Sequence, residues 1–521
     1  MGRMKAMRPI LSGQAIKELD QRAEEFGMSS LLLMESAGRG AAEVIRQAFP
    51  QAAQARVVAL AGKGGNGGDA LCAARWLGLW GAEPLAIVLG EPAGAAAEQA
   101  RAFSACFPER LVRIEKEEDL ASWQGEISRA DLVIDGILGV GVRGPARGLA
   151  KAAIELLEDT LAPIVAIDLP SGLSADSGEV PGPAVRAELT LVMGALKPCH
   201  LLPPAAEHAG EVRVVEVAYP PSVWEEVEPV AWVLSDDSCA RWLPPRPRFG
   251  HKGTFGRVLV VGGAVGMAGA VSLAAEAALR GGAGLVHVVV PEPIYPIVEA
   301  EAIEALVHPA EAEEGMFSPQ AAKEVLKWLS GMDVVLLGPG LGRGPGPAEV
   351  VHALLTSGHQ KLVLDADALF HLAQSPKALT RKHGELILTP HPGEFARLVG
   401  KEVAEVVKHK IEEARKRAVE WRAVVALKGP PTAIASPAGE VYLNTTGNTA
   451  LAHGGSGDVL AGLIAGLWAS GAEALPAACV GAFVHGRAAE HLTGEGAERA
   501  FLASDLLETI PQVFAKLERL S

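Results

Sequence analysis

Short runs of β-branched and aliphatic residues alternate with longer stretches of helical period along most of the chain. In the first half these runs predict strands at 56–61, 84–89, 130–135, 164–168, 188–193 and 211–217. Apolar positions spaced by 3.6 residues predict helices at 14–26, 31–49, 70–80 and 95–107. Strands apolar on both faces and separated by helices read as βαβ units of a parallel sheet covered on both sides. The rhythm stops across 220–249, where Pro220-Pro221, Pro244-Pro245 and Pro247 remove ladder donors. It restarts with strands predicted at 258–261, 285–290, 334–337, 362–365, 386–388 and 424–427, and helices at 269–280, 393–398 and 458–469. A hairpin is expected at 432–436 and 441–443, turning at Ala438-Gly439. The pattern predicts two α/β domains, 1–220 and 250–521, joined by a Pro-rich linker at 221–249.

Composition narrows the classes of function. A hydrophobic content of 49% with 21% charged residues belongs to a packed globule rather than a disordered chain. The net charge of −15 argues against nucleic acid or an anionic membrane as partner. An anionic substrate must then be held by loop amides and helix ends. The five cysteines, Cys72, Cys106, Cys199, Cys239 and Cys479, show no C-x-x-C spacing, so neither a disulfide framework nor a zinc site is expected. With no secretory signal at the N-terminus, a cytoplasmic location is expected. The apolar stretch 459–484 is interrupted by Glu473 and Pro476, which predicts two buried helices rather than a membrane span.

In the first half, Gly62-Lys-Gly-Gly-Asn-Gly67 satisfies G-x-G-x-x-G between a strand and a helix, a weak signal by itself. Two later strand ends add to it: Asp135-Gly-Ile-Leu-Gly-Val-Gly-Val-Arg-Gly-Pro145 and Asp168-Leu-Pro-Ser-Gly172. Open α/β sheets bind ligands at the carboxyl ends of their strands, so these loops share one rim. Asn66, Asp135 and Ser171 offer hard oxygens suited to an alkali or alkaline-earth cation. Asp69 and Asp168 remain for hydrogen bonding or proton transfer. The competing reading has Asn66 and Asp69 shaping the loop and capping the following helix. Gly139 to Gly144 is either a turn or, through Arg143, a phosphate contact.

The second half carries the more specific signal. Lys428-Gly-Pro-Pro-Thr432 precedes Gly454-Gly-Ser-Gly-Asp458, a glycine run that opens an apolar helix. Unpaired N–H groups and the helix dipole both favour an anion there. Asp458 sets a carboxylate beside the phosphate, where it can take a proton from a hydroxyl. Gly262 to Ala270 follows a strand and either accepts phosphate or packs against the sheet. Gly338-Pro-Gly-Leu-Gly342 lets backbone approach a ligand. Thr389-Pro-His-Pro-Gly-Glu394 places His391 beyond a strand, in either a structural or a functional role.

The G-N-G-G-D loop at 65–69, the strand-end Asp135 with its glycine-rich loop, and D-L-P-S-G at 168–172 resemble the N-terminal domain of the NAD(P)H-hydrate epimerases. The resemblance implies a Rossmann-like doubly wound sheet and substrate contacts at Gly65, Asn66, Gly67, Gly68 and Asp69. It extends them to Gly139, Val140, Gly141, Val142, Arg143, Gly144, Pro145 and Asp168, with Asp168 in an acid/base role. It also implies potassium on Asn66, Asp135 and Ser171. The loop at 263–270, G-P-G-L-G, T-P-H-P-G-E, K-G-P-P-T and the run 448–462 are similar to the ADP-dependent NAD(P)H-hydrate dehydratases, which are ribokinase-like α/β/α proteins. That likeness implies substrate at Ala270, Gly342, His391 and Asp458, and adenine nucleotide at Lys428, Gly429, Pro430, Pro431, Thr432 and Gly457. Thr449 departs from it, because the family commonly has proline there. Magnesium with ADP or ATP and a homo-oligomer complete the expectation.

The implied chemistry is repair of hydrated NADH and NADPH. The first domain epimerises the R and S hydrates. The second phosphorylates the S hydrate's hydroxyl from ADP and eliminates phosphate, with Asp458 as base. One rival is a vitamin-precursor kinase fused to a non-catalytic nucleotide-binding module. A dehydrogenase needs an acid ending the second strand, and only Glu91 lies near.

Overall fold

The computed structural model describes residues 7–141, 143–380, 384–494 and 496–521; Val142, an expected substrate contact, lies outside the described residues. The chain divides into two compact units, Arg8–Val230 and Ala231–Ser521.

The first unit is built on seven parallel strands: β1 (Arg56–Ala61), β2 (Glu83–Leu89), β3 (Leu111–Ile114), β4 (Leu132–Gly136), β5 (Ile164–Ile167), β6 (Leu189–Met193) and β7 (Glu211–Val215). They run in the order β3-β2-β1-β4-β5-β6-β7, a doubly wound sheet that reverses direction beside β1. Alternation along β1 supplies both faces. Val57, Ala59 and Ala61 enter one core, Val58 and Leu60 the other. Helices α1 (Gly13–Glu25), α2 (Ser30–Ala48), α3 (Gly65–Leu79), α4 (Ala95–Cys106) and α5 (Gly148–Leu157) accompany this sheet. Strand β3 escaped the sequence reading because it is a four-residue edge strand, largely half-exposed and carrying Arg113.

The second unit contains β8 (Ala231–Val233), β9 (Arg257–Val261), β10 (Leu285–Pro291), β11 (Leu306–Ala310), β12 (Val334–Leu337), β13 (Lys361–Leu364), β14 (Glu385–Leu388), β15 (Val424–Leu427), β16 (Thr432–Ala435) and β17 (Val441–Asn444). Their order is β8-β17-β16-β15-β14-β13-β12-β9-β10-β11. Pairing is parallel except where the expected hairpin, β16 and β17, turns antiparallel beside β15. The stretch 221–249, expected as a linker, is more regular than its prolines suggest. It holds a 3-10 turn at Pro221–Glu226, β8 in register with β17, and a helix at Asp236–Arg241 capped by Ser235.

Two helices of the second unit set the position of its site. Helix α6 (Ala268–Arg280) lies against α8 (Ser456–Ala469). The contact is backbone to backbone at Gly462, where an added methyl would strike the Ala274 carbonyl oxygen and come within 2.8 Å of Ala277 Cβ. Helix α7 (Pro392–Val399) follows β14, and α9 (Ala474–Thr493) follows α8. Glu473 precedes α9 and Pro476 falls in its first turn, so the apolar stretch does form two helices. Among the described residues no helix is long and apolar enough to cross a membrane.

Candidate functional sites

In the first unit the loops after β1, β4, β5 and β6 meet at one edge of the sheet. Gly65, Asn66, Gly67, Asp69, Gly139, Val140, Gly141 and Asp168 line a single cavity of about 550 Å³ there, together with Asp20, Lys63 and Tyr219. The loop is glycine-rich for a steric reason: a methyl at Gly67 would overlap the Gly62 carbonyl. Helix α3 begins at Gly65, five residues before the predicted start, because the glycine run is itself the first helical turn. No side chain caps it, so the capping alternative for Asn66 and Asp69 fails. Gly68 is outside that lining and packs against Met34. Arg143, Gly144 and Pro145 are exposed and sit outside that lining.

Asn66, Asp135 and Ser171 converge around Leu138. Asn66 Nδ2 donates to the Leu138 carbonyl at 2.7 Å, and the Leu138 N–H donates to Ser171 Oγ at 2.8 Å. Ser171 donates to Asp135 through Oγ at 2.6 Å and through its N–H at 2.8 Å. Asp135 is fully buried, and burial raises its carboxyl to about 6 against the pull of these donors, all of them neutral. A buried carboxylate that meets only neutral donors, beside a carbonyl and two side-chain oxygens, suits a monovalent cation.

Asp168 follows β5 with φ +66, a backbone conformation that ordinary side chains rarely adopt. Lys197 and His200, neither of them expected from sequence, hold it in place. Burial, and the neighbouring charges of Asp168 and Asp20, raise the Asp69 carboxyl well above the ordinary range. Asp20 is also raised, by burial first, although it accepts a 2.6 Å bond from the Tyr219 hydroxyl.

In the second unit five neighbouring strand ends bring the predicted segments together: Gly262–Ala270 after β9, Gly338–Gly342 after β12, Asp365 after β13, Thr389–Glu394 after β14 and Lys428–Thr432 after β15. Lys428 Nζ donates to Asp365 Oδ1 at 2.9 Å, and Thr389 Oγ1 donates to the same oxygen at 2.8 Å. Desolvation opposes the charge on Lys428, but Asp365 and Glu394 outweigh it and raise its pKa. The first turn of α8 lies over this pair, since a methyl at Gly457 would sit 3.3 Å from Lys428 Nζ. No side chain caps α8. Its first-turn Asp458 is raised to about 7, by burial and then by Asp365, with Lys428 pulling the other way. That value is suited to a group that must gain and lose a proton near neutrality.

The remaining expected residues have mixed roles. Gly429 has φ +111, Pro430-Pro431 is a cis peptide, and Thr432 opens β16. Lys410, unexpected from sequence, is buried and donates to the carbonyls of Lys428 at 3.2 Å and Pro431 at 2.9 Å, fixing this loop from behind. Burial lowers it to about 8. The Gly342 N–H donates to Asp367 Oδ2 at 3.0 Å, and Ala270 stands against Gly340. His391 caps α7: its Nδ1 accepts from the N–H groups of Gly393 at 3.0 Å and Glu394 at 3.2 Å, and its Nε2 lies 3.4 Å from Glu394 Oε1, in a side chain 56% exposed. Its structural role is therefore clear, and burial lowers its pKa. Asp365 carried one overlooked signal, an acid closing a predicted strand in Asp365-Ala-Asp367.

Comparison with known proteins covers both units. Residues 258–512 match the family described as NAD(P)H-hydrate dehydratase, and residues 30–199 match the YjeF-related protein N-terminus. The bifunctional NAD(P)H-hydrate repair enzyme Nnr of Moorella thermoacetica is 39% identical, over 98% of this chain and 97% of that protein. Its counterpart in Salinibacter ruber is 37% identical, over 98% and 96%. An ADP/ATP-dependent NAD(P)H-hydrate dehydratase from Bacillus subtilis, co-crystallised with ATP and Mg2+, is 33% identical. It covers 55% of this chain and 98% of its own, with a TM-score of 0.48.

Proposed function

This chain belongs to the family of bifunctional NAD(P)H-hydrate repair enzymes, and we propose from that premise how its residues divide the repair. It is an enzyme of both activities, epimerase and ADP/ATP-dependent dehydratase, and the kinase alternative is not favoured. In our reading the epimerase occupies 1–220, the dehydratase 250–521, and 221–249 joins them.

Hydration leaves a hydroxyl on a saturated ring carbon, and hydroxide leaves poorly. In the dehydratase half, Asp458 takes the hydroxyl proton and the oxygen attacks the terminal phosphoryl group of ADP, releasing AMP. The first-turn amides of α8 stabilise charge on the phosphoryl group in flight. Phosphate then departs with the carbon–oxygen bonding pair, the adjacent carbon loses a proton, and the ring double bond returns. Lys428, Gly429, Pro430, Pro431, Thr432 and Gly457 hold the nucleotide, while Ala270, Gly342, His391 and Asp458 face the S hydrate. Among the described residues no three His, Cys, Asp or Glu side chains gather to hold a metal. Magnesium bound with the donor phosphates would supply charge neutralisation there.

In the epimerase half, Gly65, Asn66, Gly67, Asp69, Gly139, Val140, Gly141 and Asp168 contact the hydrate, and Asp168 moves the proton. Asn66, Asp135 and Ser171 would hold potassium, whose charge would balance the buried Asp135. Self-association and a cytoplasmic place of action belong to the same reading, and light scattering and cell fractionation test them.

The observation that carries the dehydratase assignment is the raised Asp458 at an uncapped helix mouth beside the Lys428–Asp365 pair. With hydrated NADH and ADP, the protein should regenerate reduced-nicotinamide absorbance while releasing AMP and phosphate in equal amounts. A stable phosphorylated product with no return of absorbance defeats it.

A further inference from the structure

Behind the epimerisation cavity lies a charge that no motif announces. Lys197 is 0% exposed. Its ammonium donates to Asp168 Oδ1 at 2.5 Å and to the Ala195 carbonyl at 3.1 Å. A buried ammonium is costly unless paired and hydrogen-bonded, so its position is tied to that carboxylate. The Met193 N–H donates to the same Oδ1 at 3.1 Å. The Lys197 N–H donates to His200 Nδ1 at 3.0 Å, which leaves the ring proton on Nε2 to donate to the Asp168 carbonyl at 2.8 Å. His200 is thus neutral, and burial lowers its pKa to about 4. Lysine, histidine and a backbone amide together fix Asp168 at its positive φ. Both side-chain hydrogen bonds fall on Oδ1, and Asp168 lines the cavity, so Oδ2 is the oxygen left for a ligand.

Asp69 lines the same cavity from α3, which follows β1, whereas Asp168 follows β5; β4 lies between those two strands. The two carboxyls differ in their surroundings: one is anchored by an ammonium, the other faces Asp168 and Asp20. Two carboxyl groups in one pocket with opposite environments are suited to opposite proton duties.

We propose that Lys197 is the positioning residue of epimerisation: it anchors one oxygen of Asp168 so that the other can deprotonate a water, while Asp69 protonates the departing hydroxyl, and the substrate's oxygen is exchanged for solvent oxygen. This rests on the epimerase reading of the first unit. Water adds to an enamine with its proton on the far carbon and its hydroxyl on the carbon bearing nitrogen. From that hydroxyl the step balances. Asp69 gives its proton to the hydroxyl, the carbon–oxygen bond breaks with its electron pair leaving on water, and the nitrogen lone pair forms a C=N bond. A second water attacks the opposite face, the C=N pair returns to nitrogen, and Asp168 Oδ2 takes the proton. One water has left, one has entered, and one proton has passed from Asp69 to Asp168, which solvent exchange restores.

The test is conversion of the R hydrate by the full chain in 18O-labelled water without nucleotide. Each epimerisation should carry one labelled oxygen into the product, read by mass spectrometry against an enzyme-free control. Lys197→Met should lower kcat at least about 100-fold with little change in KM. Losing the ammonium should also change the pH profile of kcat, which a merely structural role would leave unmoved. The groups facing this pair are Lys17, Asp20, Lys63, Asp69, Cys199, His200 and Tyr219, and all are retained in the variant. Lys197→Arg should restore part of the rate and the native pH profile. Product that keeps its original oxygen, or a Lys197→Met enzyme with native kcat and pH profile, overturns the proposal. If Lys197→Met does not fold, Asp69→Asn decides the matter: a native epimerisation rate there overturns it equally. A wild-type enzyme that does not epimerise defeats the parent reading and this proposal together.

Discussion

Replacing Asp458 with asparagine should make the second half inactive and more stable at once. The Asp458 carboxyl rises from the ordinary aspartate value of 3.8 to about 7, because burial and the Asp365 charge oppose ionisation. A native value above the unfolded one means that folding disfavours the ionised form. The penalty is absent below the unfolded pKa near 4, grows as pH rises between the two values, and is complete above about 7. A rise of about three pH units corresponds to a ceiling near 4 kcal/mol. Asp458 is only partly buried, so screening brings the expected gain for Asp458→Asn to roughly 1–2 kcal/mol at pH 8. At pH 4 the variant and wild type should coincide. Chemical denaturation at both pH values measures this, followed through the transition of the second unit. Dehydration turnover should fall by about 10²–10⁴, the usual worth of a general base. The reasoning is refuted if Asp458→Asn is no more stable than wild type at pH 8, or if it regenerates NADH at the native rate.

Gly462→Ala places a methyl against the Ala274 carbonyl and 2.8 Å from Ala277 Cβ, well inside ordinary carbon contact. Helices α6 and α8 must separate by roughly 1 Å, and thermal melts should show a loss of about 1–3 kcal/mol. Asp135→Asn removes the buried charge that a cation would balance, so epimerisation should lose its dependence on potassium in a titration of rate against KCl. Thr449→Pro deletes the N–H that donates to Glu498 Oε2 at 3.0 Å and the hydroxyl that donates to the same oxygen. A loss of about 1 kcal/mol is expected, partly offset by the stiffer unfolded chain, and denaturant midpoints measure it.

Much of the architecture was legible because parallel strands covered on both faces must be continuously apolar, as Val258 to Val261 and Val334 to Leu337 are. The edge strands β3 and β11 were not legible: their residues are largely half-exposed and no unbroken apolar run marks them. Helix α3 was placed five residues late, because glycines were counted as loop where they form a helical turn packed against the strand-end backbone.

The sequence by itself determined the two α/β halves, the glycine loops at their strand ends and the carboxylate at the mouth of α8. Each of these is a local matter of period, turn chemistry or residue order. Only the tertiary structure decided which charges face each other. Lys197 meets Asp168 across 29 residues and Lys428 meets Asp365 across 63. These pairings follow from the order of strands in each sheet, which brings strand ends distant in sequence next to each other or one strand apart, and the desolvation there decides which carboxyls hold a proton.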